Sequence, residues 1–307
     1  MGFALDNGPI VCVLVGTAAR RLRAGGFRDL LRRIVRFHIA TRTCFWHWRR
    51  SSAEGEICGG GPSKASKNVV VSREPSETAR TLWRTLMGAP SGFADAPILV
   101  VGNEDHQAAP RGWVGLVRIE SSAVVVSPLA LVSRIATALA NADILRITDP
   151  DYIATVLGPA EGRGPASLFY GNGFEPSVTR RVVGPLPGEN ALVREVAADA
   201  TEEERDESGI EHCTSGFYVA LGNGSRPAAI CAWREWPCRV AHMSVLAASS
   251  QRGHGHAASA STRALQAAAQ EGLLPQWRAA HWNVASIGLA RRLGLAEVGQ
   301  QYSVHLI

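Results

Sequence analysis

The chain has 307 residues, 46% of them hydrophobic and 19% charged, with a formal net charge of +5. That is room for two ordinary domains, and no run of about 18 uncharged apolar residues occurs, so a helical membrane span is not expected. The charge is uneven: residues 1–67 carry 12 Lys+Arg against 4 acids, a net +8, and the remainder is −3, so nothing beyond residue 67 has the basic footprint of a nucleic-acid binder.

The six cysteines are Cys12, Cys44, Cys58, Cys213, Cys231 and Cys238. None forms a C-x-x-C pair, and their scatter matches neither a metal site nor a disulfide framework. A reducing cytoplasm is the expected setting.

Residues 1–67 read as a basic, poorly ordered extension. The apolar run 9–18 is short and has no positive residue before it, which argues against a secretory signal. Residues 19–39 are Arg-rich, with Leu22, Leu30, Ile34 and Phe37 among the apolar positions. Three readings stay open for them: a loosely ordered tail, a segment lying on an anionic membrane surface, or a transit-peptide-like segment. Phe45, Trp46 and Trp48 follow, then the breaker Gly59-Gly60-Gly61-Pro62.

Residues 68–186 read as a smaller α/β domain. Strands are expected over 69–71, 97–101, 113–117 and 121–127, with a helix from 76 or 77 to 87. A second helix spans 128–140 with Pro128 at its start, and Asp149-Pro150-Asp151 opens a third over 152–157. Residues 158–165 read as a loop and 167–170 as a strand. No chemical motif stands out. Asp149, Asp151 and His106 admit a metal or acid–base reading, beside the plainer one of a helix cap and a loop histidine.

Gly184-Pro185-Leu186-Pro187-Gly188 marks the expected boundary, and residues 187–307 form the next unit. A strand is expected over 191–196 and an acidic helix over 200–210, with Thr201 at its start. Strands over 217–221 and 227–236 flank Gly222-Asn223-Gly224-Ser225, a hairpin signal. A strand over 239–246 runs into a glycine loop. A helix over 257–271 follows, stopped by Gly272. The pattern closes with a strand over 276–281, a helix over 283–293 ended by Gly294, and a strand over 297–304.

The chemistry gathers at Ala247 to Ala257. A strand that ends at a glycine loop and passes into a helix is an anion cradle. Unpaired N–H groups at the helix start point outward, the helix dipole adds positive potential, and glycines let the backbone approach an oxygen closely. His254 and His256 in the loop invite a metal reading, but an i, i+2 pair with no third ligand is poor support for zinc, and no metal is expected.

Two signatures carry a resemblance. Arg252-x-x-Gly255-x-Ala257 matches the coenzyme A signature of the GCN5-related N-acetyltransferase (GNAT) family. Asn283-x-x-Ser286, with the helix closing on Gly294-Leu295, matches its second signature. Residues 190–307 therefore resemble that family, and the upstream part resembles, more faintly, bacterial members with an uncharacterised amino-terminal domain. The resemblance implies an α/β (α+β) fold: a mixed central sheet with two splayed parallel strands and flanking helices. It implies acetyl-CoA as co-substrate. Val245, Leu246, Ala247, Arg252, Gly253, His254, Gly255, His256, Ala257, Asn283 and Ser286 would hold the coenzyme, with the N–H groups near Val245 and Ala247 polarising the thioester.

The implied activity is acetyl transfer to a primary amine, small molecule or peptide, by direct attack on the thioester. The family's frequent general-acid tyrosine falls here on Ala290, which leaves Tyr302 as the tyrosine to consider. Candidate bases are Glu204, Glu207, His242 and His281. The alternative is a coenzyme A-binding protein with lost or regulatory chemistry, acting through its amino-terminal domain. The acceptor and the oligomeric state, a homodimer being one option, stay open.

Overall fold

Residues 74–93, 97–171 and 179–307 are described by the structure, a computed structural model. All of them belong to one compact unit. The expected extension 1–67 and the expected strand 69–71 lie outside these residues.

Helix α1 (Pro75–Met87) opens on Pro75 and ends where Gly88 takes the left-handed conformation, φ 63°. Ala79, Leu82, Trp83, Leu86 and Met87 recur at helical spacing and are buried. Strands β1 (Ile98–Gly102), β2 (Val114–Ile119) and β3 (Ser122–Ser127) follow. Helices α2 (Val132–Leu139) and α3 (Pro150–Leu157) cover one face of them, through Ile135, Leu139, Ile153 and Leu157, and α1 covers the other. Next come β4 (Ala160–Tyr170), β5 (Val182–Leu186), α4 (Ala191–Ala198) and α5 (Glu202–Ser208). The chain finishes with β6 (Ser215–Leu221), β7 (Pro227–Trp236), β8 (Val240–Ala247), α6 (His256–Gln270), β9 (Leu274–Ala280), α7 (Val284–Arg292) and β10 (Ala296–Leu306). Among the described residues, no helix is long and apolar enough to cross a membrane.

One ten-stranded mixed sheet holds these strands in the order β1-β3-β2-β10-β4-β9-β8-β7-β6-β5. The two expected folded segments therefore share it across residue 187. β10 lies between β2 and β4 and is antiparallel to both, and β4 is antiparallel to β9. β4 contributes to two cores. Phe169 packs with Ala264, Leu265 and Leu289 under α6 and α7, while Leu168 and Tyr170 pack with Leu82 and Trp83 of α1.

Three local expectations are corrected. The strand expected over 191–196 is helix α4. Asn190 caps it by accepting from the Leu192 N–H at 3.0 Å, and Val193 and Val196 bury at i, i+3 spacing. The edge position goes instead to β5, which overlaps the stretch read as the domain boundary; an edge strand tolerates Pro185, which has no N–H to donate. The loop expected over 158–165 is strand from Ala160 onward. Gly162 is a packing requirement there, because any Cβ would collide with the Tyr302 hydroxyl and ring. The hairpin at Gly222 to Ser225 joins β6 and β7 as expected.

β8 and β9 are parallel and pair only at Val240↔Leu274, Ala241↔Pro275 and His242↔Gln276. Beyond these they diverge, each held by its outer neighbour: β8 by β7 as far as Ala247, and β9 by β4 as far as Ala280. The splay leaves a gap through the sheet.

Replacing Phe169 tests the claim that β4 supports the carboxy-terminal core. Phe169→Ala is expected to destabilise the protein by about 3–5 kcal/mol, read from urea denaturation.

Candidate functional site

The gap between β8 and β9 opens into a cleft of about 810 Å³. One wall is β8 and the loop after it, the other is β9 and the start of α7, and α5 closes over the top. The backbone of β8 faces it in a defined way. The Ala248 N–H donates to the Ala228 carbonyl at 2.9 Å. In an antiparallel pair the residues alternate, so Leu246 and Ser244 turn their N–H groups to β7. Val245 and Ala247 turn theirs into the gap, past the last pair His242↔Gln276, where β9 has moved away.

At the far end of β8, Gly253 and Gly255 adopt φ 79° and 81°, a conformation that favours glycine, and a Cβ at either would meet nothing within 4 Å. The space before the loop is open. Gly255 is the N-cap of the 15-residue helix α6, and no side chain caps it. The first-turn N–H groups have no intrahelical acceptor and open onto the cleft. This is the arrangement that a pyrophosphate fits.

Of the residues singled out in the sequence, Val245, Leu246, Ala247, Arg252, Gly253, Gly255, His256, Ala257, Asn283 and Ser286 line the cleft, as do Glu204 and Glu207. His254 and His281 do not. His281 is exposed beyond β9, with Nε2 at 3.4 Å from the Gln300 amide nitrogen. Burial lowers the His281 pKa, and Glu297 partly opposes that.

The two carboxylates of α5 are already engaged. Thr201 and Glu204 form a capping box, with the Glu204 N–H donating to Thr201 Oγ1 at 3.2 Å and the Thr201 N–H donating to Glu204 Oε2 at 3.1 Å. Glu204 Oε1 also pairs with Arg252 Nη2 at 2.8 Å. Arg252 in turn donates to the Ala247 carbonyl at 3.4 Å, so it braces the loop. Glu207 Oε1 accepts from Asn283 Nδ2 at 2.7 Å, and Asn283 Oδ1 caps α7 by accepting from the Ser286 N–H at 2.9 Å. Ser286 Oγ accepts from Trp277 Nε1 at 3.0 Å.

The remaining candidates serve the fold. Ala290 is fully buried in the core under α6 and α7. Tyr302 packs among Val114, Leu116 and Ile153, on the far side of β4 from the cleft. His242 stacks on Trp236, with ring centroids 4.1 Å apart, and its Nδ1 meets Gln276 Oε1. Burial and the nearby Arg278 push its pKa down to about 3, which makes it a feeble proton acceptor at neutral pH. Asp149 caps α3, and His106 Nδ1 accepts from the Ala108 and Ala109 N–H groups. Among the described residues, no three His, Cys, Asp or Glu side chains gather as a metal site.

The sequence did not single out Ser208 or Ser244, which also line the cleft. Nor did it single out Arg180, whose Nε donates to the His254 carbonyl at 3.2 Å. No local motif marks Arg180. Its place beside the loop follows from β5 pairing with β6.

Residues 189–295 match the model of the acetyltransferase (GNAT) family. Among solved structures, the chain is similar to an acetyltransferase of the GNAT family from Colwellia psychrerythraea. Identity is 18%, over 51% of this chain and 61% of that one, with TM-score 0.37. It is similar to a GCN5-related N-acetyltransferase from Kribbella flavida at 20% identity, over 50% of this chain and 62% of that one, with TM-score 0.35. A tandem GNAT protein from the clavulanic acid biosynthesis pathway is 12% identical, over 77% of this chain and 96% of that one, with TM-score 0.37. The chain thus spans less than two thirds of the length of the first two. No curated protein matches it.

Two measurements check the site's supports. Asn283→Ala removes a helix cap and the Glu207 partner, and is expected to cost about 1 kcal/mol in thermal unfolding. For His242, the folded pKa of about 3 lies below the ordinary 6.5. The unfolded chain therefore takes up the proton first on acidification. The stabilisation is present above about pH 6.5 and is lost progressively toward the folded value. Urea midpoints are expected to fall between about pH 7 and 5, with a shallower fall in His242→Gln.

Proposed function

We propose, from the match of residues 189–295 to the acetyltransferase (GNAT) family model, that the chain transfers the acetyl group of acetyl-CoA directly to a primary amine. The observation that carries the reading is the splayed cleft, with strand N–H groups along one wall and an uncapped helix start at its end. Acetyl-CoA supplies a thioester carbonyl already activated toward amines. The Val245 and Ala247 N–H groups hold the pantetheine arm and polarise that carbonyl. The first turn of α6 takes the pyrophosphate.

Helix α5 forms the acceptor wall. The Glu204 carboxylate is committed to its own helix cap and to Arg252. Glu207 is therefore the group assigned to draw in the ammonium and take its proton, held at the mouth by Asn283. Ser286 replaces the tyrosine that Ala290 does not supply. Its oxygen accepts from Trp277, which leaves its own O–H to donate toward the departing sulfur. In the transfer a C–N bond forms, the C–S bond breaks, one proton leaves the amine and one reaches sulfur.

A second reading is a coenzyme A-binding protein whose chemistry is lost or regulatory, favoured by the buried Ala290 and by the pairing of Glu204 with Arg252. Thiol release from acetyl-CoA across a panel of primary amines decides between the two. Turnover with at least one amine is expected, and Glu207→Gln should lower kcat about 100-fold with little change in the KM for acetyl-CoA. Silence across the panel, with coenzyme binding intact, would sink the transfer reading in favour of the second.

A further inference from the structure

Arg278 is the one residue of β9 that is not fully buried, and it lines the cleft. Strand alternation fixes its side of the sheet. Trp277 and Ala279 pack in the core under α6 and α7, so Arg278 between them points to the opposite face. Val240 and Leu274, paired across β8 and β9, both pack with α1 on that opposite face. Ser244, in phase with Val240 on β8, lies there too. Its Oγ is 3.6 Å from where a Cβ would stand on Gly209, the residue that stops α5. Arg278 therefore shares the face on which α5 brings Glu207 to the cleft. One cleft thus holds a carboxylate on a helix above the sheet and a guanidinium on the strand below it.

The guanidinium is held in position. Arg278 Nη1 donates to Gln301 Oε1 at 3.1 Å, and Gln301 Nε2 donates to the Ala108 carbonyl at 2.8 Å. Gln301 is buried on β10, and Ala108 lies in the connection between β1 and β2. A guanidinium presents several N–H donors in a planar fork, so a bond to one neutral amide orients it without exhausting it. Burial lowers the pKa of Arg278 to about 10, with Tyr170 partly opposing, so the group stays charged at neutral pH. A cation kept in a partly dry site is stabilised by an anion that reaches it, and the fork matches the two oxygens of a carboxylate.

We propose that the acceptor is an amino acid, with Glu207 taking its ammonium end, Arg278 taking its carboxylate and Gln301 positioning Arg278. The proposal rests on the transfer reading above and deepens it by naming the substrate class. A zwitterion satisfies both charges of the cleft at once. An amine without the carboxylate reaches Glu207 but leaves the guanidinium without its anion, and a site built for a polar group rejects analogues that lack it. The brace through Gln301 to Ala108 also gives the amino-terminal half of the chain a part in choosing the substrate.

Steady-state thiol release from acetyl-CoA by the full chain tests this. The acceptors are L-α-amino acids, β-alanine and 4-aminobutanoate, each beside its carboxamide and beside the amine that lacks the carboxyl group. At least one acid is expected to exceed its carboxamide by about 100-fold in kcat/KM, mostly through KM. That comparison uses the native protein and decides the matter even where a variant fails to fold. Arg278→Lys keeps the charge and loses the fork, and should cut the preference for the acid about tenfold. Gln301→Met removes the brace, and should raise the KM for the acid about three- to tenfold with a smaller change in kcat. Carboxamides or simple amines that turn over as fast as the acids overturn the assignment and leave the transfer reading standing. A preference for O-phosphoethanolamine over every acid does the same. Silence with every amine, coenzyme binding being intact, overturns both.

Discussion

The hydrogen-bonded ladder between β4 and β10 is the constraint on which the rest depends. β10 pairs with β2 on one edge and β4 on the other, and β4 passes the sheet on to β9. Without β4, β9 would lose its lateral partner among the described residues along 277–280, because β8 has already turned away there. Two parallel strands can part company within a sheet only if each is anchored on its other side. The cleft is therefore a property of strands far from it in sequence.

A second constraint acts across the gap. Glu204 and Glu207 are three residues apart and face the same side of α5. One clasps Arg252 on the β8 side, the other Asn283 on the β9 side. The short helix, stopped at Gly209 in the left-handed conformation, spans the opening through two charge-assisted bonds. The two acidic residues of one short helix thus hold opposite walls of the cleft.

Much of the site was legible because its parts are local. Arg252 to Ala257 between a strand and a helix, and Asn283 to Ser286 at the next such junction, state their geometry within a few residues. The splay was legible only through resemblance. What the sequence hid was non-local or two-valued. Residues 191–198 carry an apolar spacing that suits either period until Asn190 caps the helix. Gly162 and Pro185 look like loop formers, yet one makes room for Tyr302 and the other sits on an unpaired edge. Arg180 meets His254 across 74 positions, and Glu207 meets Asn283 across 76; neither pairing leaves a trace in local composition.

The position of β10 also sets an order of events during synthesis. β2 and β4 leave the ribosome well before the strand that will lie between them. Their facing edges expose unpaired N–H and C=O groups until β10 arrives, and open edges invite pairing with other chains. The amino-terminal half must wait in a state that is partly assembled. The cleft between β8 and β9, whose β9 wall leans on β4, is among the last features to acquire its support. Translation speed and chaperone access over this interval bear directly on how much functional protein a cell obtains.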